Sequence, residues 1–122
     1  MKIIKLTILG IIPLMLFACG SDHPTLTHFK AFDERFTTVI DTSDASTLTA
    51  LGDLFYNRQE VTGAEGDLEF LYLIDITHAG GSERWRCTKK GYCQQRLEGT
   101  EPNRKMFYVE RYKELFDLAK LN

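Results

Sequence analysis

Histidine and cysteine are scarce in this chain, three of each among 122 residues, and the scarcity removes most of the chemistry that side chains supply. No G-x-S-x-G, H-E-x-x-H or glycine-rich phosphate loop occurs, so neither a hydrolase motif nor a nucleotide cradle is written in the sequence. His23 and His28 have no diagnostic context, and Asp75 with His78, a pair that a metal or a proton can bridge, is at the end of a strand more ordinarily a turn feature. Cys87 and Cys93 have five residues between them rather than two, with no histidine between or beside them, which is not the spacing of a redox or zinc pair. Repeats and low-complexity tracts are absent. The longest apolar run, Leu6 to Ala18, falls short of the ~20 residues that a spanning helix needs. No cofactor and no metal is implied.

What is present begins with Lys2 and Lys5 ahead of that run. A basic start, a short apolar core and a small residue at its end form the pattern of a secretory signal. The run closes on Leu16-Phe17-Ala18-Cys19, which resembles the lipobox of bacterial lipoproteins: leucine stands three residues before the cysteine and alanine just before it. The resemblance covers the leader alone. It implies cleavage before Cys19 and a membrane anchor there, a thioether-linked diacylglycerol with an N-linked acyl chain such as palmitate. With Gly20 following in place of aspartate, it also implies sorting to an outer membrane, the domain facing the periplasm. At ~0.8 kcal/mol per buried CH₂, several acyl chains hold a protein far more firmly than one. A plain signal peptide cut nearby, or an uncleaved anchor, is the competing reading. The expected organisation is a lipoprotein signal peptide over 1–18, a lipidated polar tether over 19–26 and one domain over 27–122.

Without the leader, 13 basic and 17 acidic residues remain, in a domain small enough to gain from a cross-link. With Cys19 taken by lipid, Cys87 and Cys93 are an even pair in an oxidising compartment, the arithmetic of a disulfide. The stretch Arg84 to Leu97 reads as a β-hairpin stapled by that bond. Pairing Cys87 with Cys93 and Thr88 with Tyr92 leaves Lys89-Lys90-Gly91 as a three-residue loop, with glycine where φ > 0 is needed. Alternation puts Arg84, Arg86, Tyr92 and Arg96 on one face, and Trp85, the cysteines and Leu97 on the other.

Around this hairpin the periodicity predicts an α+β domain. Phe29, Phe32, Phe36, Val39 and Ile40 have helical spacing over about 27–41. Leu48, Leu51, Leu54 and Phe55 resume it to about Asn57, behind the capping oxygens of Asp41-Thr42-Ser43-Asp44. Leu68 to Ile76 reads as a central strand whose even-numbered side faces the helices, Met106 to Val109 as a last strand, and Tyr112 to about Lys120 as a final helix. The expected fold is an antiparallel four-stranded meander with two N-terminal helices and one C-terminal helix packed on it.

Charge is divided along the chain. From Cys19 to Glu83 three basic residues face twelve acidic ones, whereas from Arg84 to Asn122 ten basic residues face five acidic ones. Two function classes survive. One is a protein-binding module, an inhibitor, immunity-type or assembly factor, that meets a protein partner through Arg84, Arg86, Tyr92 and Arg96 with Lys89 and Lys90 at the hairpin tip. The other is a small envelope enzyme or small-ligand carrier whose site is not recognisable from sequence. The missing catalytic motifs favour the first, although arginines that merely pair with Glu69, Asp75 or Glu83 across strands would leave the same pattern. Net acidity and a periplasmic address argue against nucleic acid as a partner.

Overall fold

The computed structural model describes residues 23–62, 68–96 and 105–122. In chain order these form β1 (Leu26–Phe32), β2 (Thr38–Thr42), α1 (Ala45–Tyr56), β3 (Arg58–Val61), β4 (Tyr72–His78), β5 (Gly81–Cys87), β6 (Tyr92–Gln95), β7 (Met106–Val109) and α2 (Tyr112–Leu118). The described strands make one seven-stranded sheet in the order β2-β1-β4-β5-β6-β7-β3, and every neighbouring pair is antiparallel. Apolar residues from one side of the sheet, among them Phe29, Ile74, Trp85 and Val109, form a single core with Leu51 and Phe55 of α1 and Leu115 and Phe116 of α2. The helices therefore cover one face of the sheet. No helix among the described residues is long and apolar enough to cross a membrane.

This mostly β domain corrects the four-stranded meander with two N-terminal helices. The stretch 27–41 is a hairpin, β1 and β2 joined by a turn, and not a helix. Apolar residues on both faces explain the misleading spacing. Phe29 is buried on the core side opposite Ile76, whereas Phe32, opposite Leu73 and under the Lys30 ammonium, lies on the other face of the same strand. Phe36 adds an apolar residue from the turn itself. Apolar positions at helical intervals thus arise from a strand apolar on both faces followed by a loop. The predicted order lacks β3 because Arg-Gln-Glu-Val shows no apolar alternation; among the described strands it pairs only with β7, at the edge of the sheet.

α1 forms where its pattern places it. Asp44 caps it, the carboxylate accepting the Thr47 backbone N–H (3.0 Å) and the Ser46 and Thr47 hydroxyls (2.8 Å each). These bonds hold the Asp44 carboxyl below its ordinary range. Gly52, a poor helix former, sits where a Cβ would lie 2.7 Å from the His23 ring, so its small size admits the incoming chain against the helix.

β1 and β5 run in the same direction, each antiparallel to β4, so the loops after them lie at one end of the sheet. Both loops have three residues. Asp33 N–H donates to Thr37 O (3.0 Å) and Phe36 N–H to Asp33 O (2.9 Å). In the other loop Thr88 N–H donates to Tyr92 O (2.8 Å) and Gly91 N–H to Thr88 O (3.2 Å). Phe36 (φ 60°) and Gly91 (φ 91°) occupy equivalent positive-φ positions. An ion pair from Lys89 Nζ to Glu34 Oε2 (3.3 Å) joins the two tips. The chain enters β1 at the opposite end.

Candidate functional site

Cys87 and Cys93 are directly opposed across β5 and β6 and disulfide-bonded (S–S 2.05 Å). They are fully buried on the helix side, beside Trp85. The alternation that buries them carries Arg84 and Arg86 of β5 and Tyr92 of β6 to the face opposite the helices. Arg96 N–H donates to Arg84 O (2.7 Å), which sets the two arginines opposite one another at the end of the same strand pair. On that face Arg84 meets Asp75, its direct partner on β4, at 3.8 Å. Arg86 stacks on the Phe70 ring (4.6 Å) and donates to Gln94 Oε1 (2.7 Å), while the Tyr92 ring leans on Tyr108 of β7 (5.1 Å). Lys89 and Lys90 stand exposed at the tip, Lys89 joined to Glu34. The structure thus gathers all six basic and aromatic residues singled out in the sequence around one hairpin, on its loop and on the face opposite α1 and α2. Cys19 and Leu97 lie outside the described residues. Of the tether stretch, Leu26 is buried as the first residue of β1, and His23 stacks on Tyr56 (5.1 Å) and bonds Asp53 Oδ1 (2.9 Å).

A second constellation lies on the helix side and was not singled out in the sequence. Two residues before Trp85, the same alternation carries Glu83 inward, where its side chain is 16% exposed. Glu83 Oε2 accepts the Tyr56 hydroxyl (2.7 Å) and His78 Nε2–H (2.8 Å), and Oε1 accepts the Trp85 indole N–H (2.8 Å). His78 Nδ1 accepts the Gly80 N–H (3.1 Å), which places the imidazole proton on Nε2. Burial pushes the Glu83 carboxyl up, but the bonds from Tyr56, Trp85 and His78 outweigh it and hold the group below its ordinary range. Tyr56 is raised, first by burial and then by its bond to that carboxylate. Beside them the Arg58 guanidinium lies over the rings of Trp85 (4.4 Å), Phe55 and Tyr56 (4.8 Å each) and Phe107 (5.1 Å). Burial lowers the Arg58 pKa and Glu83 opposes the shift.

Chemically, Glu83 has no proton to give and three of its roughly four acceptor positions are filled. The cluster ties the end of α1 to β4 and β5. Its signal in the sequence was the position of Glu83, i−2 from a buried tryptophan on a strand. Among the described residues no group of three or more His, Cys, Asp and Glu side chains is placed to hold a metal. Comparison with family models, with curated proteins and with solved structures returns no match to this chain.

Proposed function

We propose that this protein is a membrane-anchored periplasmic lipoprotein, lipidated at Cys19, whose domain binds another protein as an inhibitor, immunity-type or assembly factor. The observation that carries the reading is the opposition of Arg84 and Arg96 across β5 and β6 on a face that no helix among the described residues covers. Like charges directly opposite destabilise a strand pair, by up to ~1 kcal/mol; Asp75 on the other side of Arg84 offsets part of this, and a glutamate at position 96 would relieve the rest. A carboxylate-bearing partner gives the pair a use, since complementary charge accelerates association more than it deepens affinity. Arginine and tyrosine are also the residues enriched at binding hot spots. The stacking of Arg86 on Phe70 and of Tyr92 on Tyr108 holds the face in place, which lowers the ordering cost of a contact.

Arg96→Glu tests this reading. The substitution turns a like-charge pair into an opposite one, so the unfolding free energy stays within ~0.5 kcal/mol of wild type or rises. Association with a partner captured from envelope extract on the full-length protein slows by about tenfold, and its salt dependence flattens. Unchanged association kinetics with the fold intact would move the binding surface away from this face.

A further inference from the structure

Phe36 is the one large hydrophobic residue exposed among the described residues, with 75% of its surface in solvent. Its backbone is also in the left-handed region (φ 60°), where a bulky side chain is an outlier and glycine or asparagine is the usual occupant. The matching loop on the neighbouring hairpin places Gly91 at the equivalent position. The loop is nonetheless firmly built. Asp33 Oδ1 accepts the backbone N–H of Arg35 (2.9 Å) and of Thr37 (3.0 Å), in addition to the two backbone bonds that close the turn. A strained, rigid turn therefore presents an aromatic ring to solvent, where folding alone gains nothing from it.

The surroundings indicate what would cover the ring. Arg35 precedes it, and the Glu34–Lys89 ion pair brings up the second tip with Lys90. Neither Arg35 nor Lys90 has an ion-pair partner among the described residues. β1 separates the tip from the end where the chain enters the sheet by seven residues, or ~23 Å at ~3.3 Å per residue. On the lipoprotein reading the lipid joins the chain ahead of that far end, so the length of β1 separates the tip from the anchored end of the sheet. We propose that Phe36 is the apolar anchor of the partner contact, seating in an apolar pocket on a protein whose rim carries carboxylates facing Arg35 and Lys90. This rests on the protein-binding reading above and extends the contact from the β5–β6 face to the paired tips. A ring held in its bound position by a rigid loop is the preorganised form of such an anchor.

The test uses the full-length chain in intact cells, with a benzophenone analogue of phenylalanine replacing Phe36 or, separately, Tyr92. The expected result is one protein adduct of the same mass from both positions. Its cross-linked peptide carries Asp or Glu, and the yield from position 36 falls at least fivefold when Arg35→Glu and Lys90→Glu are added. Phe36→Gly is expected to raise the thermal midpoint by about 3 °C, as the left-handed strain is relieved, while retention of that partner drops at least tenfold. An adduct from position 92 alone, or full retention by Phe36→Gly, overturns the anchor and leaves the binding reading standing. Adducts from neither position overturn both. A lipid-sized adduct at position 36 assigns the tip to the membrane and overturns the anchor, as does a lowered midpoint for Phe36→Gly, which would make the ring a packing element.

Discussion

Glu83→Ala is expected to lower the unfolding free energy by about 3 kcal/mol or more. Three donors converge on this carboxylate, from Tyr56, His78 and Trp85. Hydrogen bonds to a charged group contribute about 1.5–3 kcal/mol each, less than additively when they share an acceptor. Removing the acceptor leaves all three donors partly buried and unpaired, and against a total stability of about 5–15 kcal/mol the loss is severe. Urea unfolding measures it as a fall in the midpoint at constant slope. The sign of the pH dependence follows from the same geometry. The folded-state pKa of Glu83 lies below the ordinary value of 4.5, so its contribution is complete above that value and is lost as pH falls through the folded pKa. Acidification below about pH 4.5 therefore costs the wild type more stability than it costs Glu83→Gln. A residual slope in the variant is expected from the likewise lowered Asp44 and Glu114. Equal slopes for the two proteins would show that the network does not hold the carboxylate ionised.

Gly91→Ala carries two penalties at once. The backbone there has φ +91°, and a Cβ would lie 2.6 Å from Cγ of Tyr112, the first residue of α2. Tyr112 has little room to retreat, because its ring packs between Tyr108 (6.1 Å) and Phe116 (5.9 Å), and Val109 N–H donates to Gly91 O (2.9 Å) on the same side. Positive φ costs a side chain about 1–2 kcal/mol and overpacking about 1–3 kcal/mol more, so the expected loss is about 2–5 kcal/mol. Gly81→Ala is the control. Its φ is +136° with nothing within 4 Å of the added carbon, so it carries the backbone cost alone. The difference between the two variants in urea unfolding isolates the contact between the hairpin tip and α2. A Gly91→Ala variant no less stable than Gly81→Ala would mean that the contact does not constrain the tip.

The hairpin was legible because several local signals agree on one register: a symmetric cysteine pair, a glycine at the turn and alternation on both strands. α1 was legible for a similar reason, its leucines sharing one face behind a capping aspartate. The N-terminal hairpin was hidden because period counting assumes one apolar face, and β1 carries Phe29 on the core side and Phe32 on the other, with Phe36 following in the turn. β3 was hidden because an edge strand of four residues, two of them exposed, needs no apolar alternation. Glu83 stood in plain view two residues from Trp85, but its partners Tyr56 and Arg58 come from elements whose placement depends on the sheet order. That order is set by tertiary packing.

The proposal that the face opposite α1 and α2, around the stapled hairpin, is the binding surface is tested most directly by footprinting. Arginine side chains of the full-length protein would be labelled with phenylglyoxal, with and without the captured partner, and the sites read by mass spectrometry. The expected result is protection of Arg84 and Arg96 on binding, with labelling of Arg111, exposed at the start of α2, unchanged. Unaltered labelling of Arg84 and Arg96 together with protection of Arg111 would contradict the assignment and place the contact on the helical side of the sheet.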